Sequence, residues 1–163
     1  MTLADIAEMA LEQGHHKIAI QHAEEGLSLM VPLHAERVRL YCILIRAYFA
    51  EDKFDMAERF FKLATDALDH HLGRSHPLHI TVYGIMAYLL APAPGAGGKF
   101  DDAMYLYKSS ILVCLKTLGP NHVQTAHVHM DFAQFYLKWE KPDLALSHFE
   151  QAFVIYKTYF THK

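Results

Sequence analysis

A chain of 163 residues with 52% apolar and 20% charged residues is long enough to bury a continuous core, and its composition excludes disorder. A formal net charge of −3 with neutral histidines leaves no electrostatic footprint for nucleic acid or an anionic membrane. No apolar run reaches bilayer-spanning length and the N-terminus lacks a secretory pattern. Cys42 and Cys114 have no metal-type spacing and read as buried, reduced thiols of a cytoplasmic protein.

Apolar residues recur at helical period almost throughout, and no segment alternates as a strand would. The pattern predicts eight helices, over 2–13, 16–30, 34–50, 54–72, 77–91, 99–118, 121–138 and 142–160. Gly14 closes the first helix through the left-handed conformation open to glycine, and Pro32 stops the second because it lacks a donor. Ser75-His76-Pro77 reads as a cap followed by a proline at the helix start, and Gly119-Pro120-Asn121 does the same before the seventh helix. Asp101 and Asp102 complement the positive end of the sixth helix. The segment Ala91-Pro92-Ala93-Pro94-Gly95-Ala96-Gly97-Gly98 is loop.

One module returns four times along these helices. It reads Gly14-His15-His16-Lys17-Ile18-Ala19, Asp52-Lys53-Phe54-Asp55-Met56-Ala57, Gly98-Lys99-Phe100-Asp101-Asp102-Ala103 and Glu140-Lys141-Pro142-Asp143-Leu144-Ala145. Phe61, Tyr107 and Phe149 follow the alanine by one helical turn in three copies, and Gly26, Ala64, Ser110 and Ala152 by two turns in all four. Small residues let paired helices approach closely, and the aromatics fill the wedge between one pair and the next. The alanine spacing is longest across 91–98, which places a four-residue insertion there, within the third repeat. The expected architecture is an all-α, right-handed α-solenoid of four helix-turn-helix repeats, about eight antiparallel helices. It forms a single domain over 1–163 with repeats at 2–31, 34–72, 76–118 and 121–160.

These residues, together with Leu44 and Tyr48, and Phe132-Ala133 and Tyr136, in the first helices, resemble the tetratricopeptide repeat. Leu72-Gly73-Arg74-Ser75-His76-Pro77 and Leu118-Gly119-Pro120-Asn121-His122 look most like the kinesin-light-chain type. The resemblance implies a non-catalytic protein-binding scaffold in the cytoplasm, with cytoskeletal association as its variant. Two ligand modes of the wider family are not implied. Positions matching an asparagine ladder hold Asp5, Ile43, Ile85 and Asp131, and those matching a carboxylate clamp include Ala4, Glu8, Ile43, Thr81 and Ile85.

Helical spacing lists the inner-face residues that remain. Arg39, Cys42, Arg46 and Phe49 form one stripe, His127, Met130, Gln134 and Lys138 another, with Tyr88 between them and Glu8 and Glu12 at the N-terminal end. Such a basic, partly aromatic face suits an acidic peptide or helix of a partner protein, with arginine forking onto carboxylates. Thirteen histidines include clusters at His70, His71, His76 and His79, and at His122, His127 and His129. They lack convergent ligand spacing, so turn capping rather than metal binding is expected. No phosphate loop or activated nucleophile is present, so neither catalysis nor a cofactor is expected. The last helix carries Phe153, Tyr156 and Phe160 beyond what its own pair needs, which suggests end-to-end association or a longer protein as the alternative.

Overall fold

The computed structural model describes residues 1–29, 35–92 and 98–161. They form eight α-helices: α1 (Leu3–Glu12), α2 (His16–Leu29), α3 (Ala35–Ala50), α4 (Phe54–Leu72), α5 (Leu78–Leu90), α6 (Phe100–Thr117), α7 (Val123–Lys138) and α8 (Pro142–Thr161). No strand occurs among the described residues. The expected all-α class holds, with boundaries close to those read from periodicity. Pro32 and residues 93–97 of the predicted loop lie outside the described residues. The chain divides into two compact units, Met1–Arg74 with α1–α4 and Ser75–Lys163 with α5–α8.

The recurring module has one hydrogen-bond signature. Its second residue donates its backbone N–H to the preceding helix: His15 to Ala10, Lys53 to Tyr48, Lys99 to Leu90 and Lys141 to Tyr136, at 2.8–3.0 Å. The same residue's carbonyl then accepts from the module alanine, Ala19, Ala57, Ala103 or Ala145. Around the third repeat the first of these bonds spans four more residues than in the others, so the longer loop is pinched shut at its base. Closing a somewhat longer loop costs little, because closure entropy grows only logarithmically.

The first residue of the module carries backbone strain in two copies. Gly14 has φ of 76°, but Asp52 and Glu140 occupy the same left-handed region at 57° and 55°. A side chain there places Cβ against the following carbonyl. Glu140→Gly is therefore expected to raise stability by about 0.5–1 kcal/mol, measurable as a higher urea midpoint at unchanged slope.

Between pairs, the turns at Gly73 and Gly119 are alike. Each glycine donates to the carbonyl five residues back, on Leu68 and Cys114 respectively. A histidine side chain meets the helix start in both, His122 as the N-cap of α7 and His76 from the residue before Pro77, the N-cap of α5. His76 Nδ1 accepts from the Leu78 N–H at 3.2 Å and His122 Nδ1 from the Gln124 N–H at 3.1 Å. The tripeptide Gly119-Pro120-Asn121 thus precedes its cap rather than containing it. An imidazole nitrogen aimed back at the helix start does what a serine or asparagine oxygen usually does. The expected turn-capping role of the histidines holds at these two positions.

Close approach of the helices rests on the small residues. Ala19, Ala57, Ala64, Ala103, Ala145 and Ala152 are fully buried and Ser110 nearly so. A β-carbon on Gly26 would lie 3.0 Å from the Leu40 side chain, which leaves no room for one without displacement. In the N-terminal unit α3 is buried on most sides, including Val38, Leu40, Tyr41, Ile43, Leu44 and Ile45, because α1, α2 and α4 all pack on it. In the C-terminal unit Tyr107 stacks on Phe132 at 5.1 Å, and Phe132 on Tyr136 at 4.6 Å. Tyr107 therefore fills the place foreseen for it, whereas Phe61 and Phe149 are only half-buried. The N-terminal ring that takes the stacked position is Phe60, 5.5 Å from Tyr48.

Candidate functional site

The first helix of each pair carries the candidate residues, and the two units use them differently. In the N-terminal unit, α3 lies against α1. This brings Arg39 and Arg46 onto the carboxylates of α1. Arg39 Nη1 donates to Asp5 Oδ1 at 2.8 Å and its Nε to Glu8 Oε2 at 3.0 Å, while Arg46 Nη1 donates to Glu8 Oε1 at 3.1 Å. Glu36 adds a further carboxylate 3.7 Å from Arg39. The arginines expected to stand free for an acidic ligand already have anions. Their positive field is cancelled locally, which weakens the argument for an acidic partner at this face.

Asp5 is anchored twice. The Thr2 backbone N–H and the Arg39 guanidinium hold its carboxyl down at about 2. The pair Thr2–Asp5 is also a reciprocal cap of α1, with the Asp5 N–H donating to Thr2 Oγ1 at 3.2 Å. Cys42 is buried between the two arginines, and burial pushes its thiol up to about 12, so it is a packing group and no thiolate. Phe49 is half-buried and meets Phe54 edge-on at 4.9 Å. Two clamp and ladder positions, Ala4 and Ile43, are core residues with about 1% exposure and cannot face a ligand.

In the C-terminal unit the predicted residues separate into two groups. Tyr88 of α5 is 64% exposed, and Lys138 of α7 sets its Nζ 4.8 Å above that ring. A cation over an aromatic face is worth about 0.5–1 kcal/mol at an exposed site and fixes both side chains at the surface. His127 and Met130 turn instead toward α8. The His127 ring lies 5.8 Å from Tyr156, and Met130 packs with Tyr156 on the small cluster of Ala126, Ala152 and Ile155. Gln134 is exposed on α7.

A cavity of about 260 Å³ opens beside the Tyr88–Lys138 pair's helices, lined from α5 by Ile80, Thr81, Gly84 and Ile85 and from α7 by Gln124, Val128 and Asp131, over Tyr107 and Ser110 of α6. Asp131 as a residue is exposed, but the helices packed around its carboxyl partly desolvate it and hold it above the usual aspartate range, with the nearby His127 opposing that shift. Spacing alone had placed Asp131 and Ile85 only as members of a ladder that does not match. The signal that could have singled out Asp131 is the heptad Gln124–Asp131–Lys138 on one stripe of α7.

His129 and His127 do face different ways. His129 is buried, and its Nδ1 lies 2.8 Å from Nδ1 of His148 on α8. Among the described residues there is no group of three or more His, Cys, Asp or Glu side chains placed to hold a metal ion. Phe153 and Phe160 of α8 are each 66% exposed, and Tyr156 is half-buried. No helix among the described residues is long and apolar enough to cross a membrane.

No curated protein matches the chain. The tetratricopeptide repeat family model matches residues 96–158, the segment running from the end of the loop through α6, α7 and most of α8. Repeats of this family generally mediate protein–protein interactions and are generally non-catalytic. Together with the helix-pair architecture, the match supports a tetratricopeptide repeat domain in this chain.

Proposed function

We propose that the chain is a non-catalytic scaffold that binds a peptide or helix of another protein, with the α5/α7 face of the C-terminal unit as the contact surface. The observation that carries this reading is the exposed Tyr88 ring held under Lys138 beside an open cavity, of which only the α6 and α7 side lies in the region that matches the family model. An aromatic anchor with a polar rim is the pattern that concentrates binding energy in protein interfaces. Arg39 and Arg46 serve in this reading to hold α1 to α3, with Cys42 and Phe49 packed around them. The kinesin-light-chain likeness, read from the turns before α5 and α7, favours a cytoplasmic adaptor.

A selection of short peptides from a display library, followed by hydrogen exchange with and without the selected peptide, tests it. Slowed exchange in α5 and α7 is the expected result, weakened by Tyr88→Ala. Peptides that protect only α8, or none that bind, would overturn it. A second reading has its own observation: Leu146, Phe153 and Phe160 recur every two turns on α8 and are all more than half exposed. In this reading the chain associates with a second copy through that stripe. Sedimentation equilibrium decides, since a clean monomer at high concentration excludes it.

A further inference from the structure

We infer that the cavity between α5 and α7 receives one basic side chain, a lysine or arginine, of the bound protein segment, with Asp131 as its counter-ion. The inference rests on the reading that this face binds a protein segment. Three observations carry it.

The first is charge. The Asp131 carboxylate makes no hydrogen bond or ion pair of its own among the described residues, although it lines an apolar-walled cavity. Lys138 lies two helical turns away, roughly 10 Å along the axis, and is engaged on Tyr88. The charge-bearing group that acts on it is His127, one turn earlier on α7, and the Tyr107 and Tyr156 hydroxyls feel its charge from α6 and α8. The chain itself supplies the comparison. Asp5, at the corresponding position of the first repeat, is met by the Arg39 guanidinium at 2.8 Å. At Asp131 that cation is missing, and partial desolvation by the cavity walls holds the carboxyl up where Asp5 is held down.

The second is space. Gly84 sits in the middle of α5, where glycine costs about 1 kcal/mol relative to alanine. Nothing requires it there: its φ is not in the left-handed region, and an added β-carbon would meet no atom within 4 Å. Its effect is to leave the cavity open across from Asp131.

The third is size and lining. A volume of about 260 Å³ falls below the roughly 300–1,000 Å³ of sites that enclose small-molecule ligands, and suits a single long side chain. Ile85 and Val128 offer apolar contact for a methylene stem, and Thr81 and Gln124 are polar at the rim. A long basic side chain combines the apolar stem and charged head that this arrangement matches.

The test uses the full chain and the peptides selected above, each remade with every Lys or Arg replaced singly by norleucine. Wild-type protein is expected to bind one such replacement about three- to fivefold more weakly, as a charge pair with one partly solvated partner requires. Asp131→Asn, close in shape, should erase that discrimination while keeping residual binding. Gly84→Leu should fill the cavity and weaken binding, whereas Gly84→Ala should leave the fold intact and bind. Peptides that protect α5 and α7 without depending on any basic residue overturn the inference and leave the binding reading standing. Unchanged discrimination in Asp131→Asn overturns it equally. Failure of any peptide to protect α5 and α7 overturns the binding reading, and the cavity's role with it.

Discussion

Phe132→Ala is expected to lower the unfolding free energy by about 3–5 kcal/mol, the cost of a large unfilled cavity. Phe132 is 1% exposed and touches rings on three helices: Tyr107 of α6, Tyr136 one turn on in α7, and His148 of α8 at 4.4 Å. Tyr136 and His148 also stack on each other, so these flat neighbours cannot readily collapse inward to refill the space. The loss should appear as a lower urea midpoint, with hydrogen exchange accelerated in α6, α7 and α8. Phe149→Ala, in contrast, removes a half-buried ring and should cost clearly less. Equal losses for the two variants would mean that the stacked cluster is not the centre of the unit's core.

Acid should destabilise the C-terminal unit well above the range where carboxylates titrate. His129 and His148 share one hydrogen bond between their Nδ1 atoms, which requires one ring to donate and the other to accept through a free lone pair. His148 also stacks on Tyr136 at 5.6 Å. Burial, then His129, then Lys108 push His148 down to about 4, and burial lowers His129 as well. The sign follows from linkage: the unfolded chain takes up these protons near 6.5, while the folded chain resists them. The stabilisation is complete above about 6.5 and is lost as pH falls toward 4. Between pH 7.5 and pH 5.0 the loss is expected to be about 1 kcal/mol for His148, after reduction for its partial solvent contact. Urea denaturation at pH 7.5 and 5.0 measures it. His148→Phe should be less stable at pH 7.5, because it leaves His129 without its partner, yet lose much less on acidification. A variant with the wild-type pH slope would show that the pair does not carry the effect.

The helices were legible because their causes are local. Spacing along α3, α7 and α8 and the glycines at 14, 73 and 119 act within a few residues, so the element order and the extra length of the third repeat can be read without coordinates. The cap residues were half legible. A helix start after Ser75 or Asn121 follows from the turn composition, but the acceptor is the neighbouring imidazole, and only the geometry of the turn selects it. The wedge aromatics show the same limit. Tyr107 and Phe61 hold equivalent positions in the module, yet one is buried in a stack and the other is half exposed.

The site was legible as a set of faces and not as a set of interactions. Helical period tells which residues share a stripe, so Arg39 with Arg46 and Gln134 with Lys138 could be named. It does not tell what stands opposite. Glu8 neutralises both arginines across more than thirty residues of chain, and His148 meets His129 from the next helix. Asp131 is left without such a partner beside a glycine on another helix. The sequence by itself determined the helix-pair architecture, because turns and apolar periodicity are short-range. Which side chains are paired, and that Asp131 is without a salt bridge among the described residues, depends on contacts between helices far apart in the chain, and so emerges only on packing.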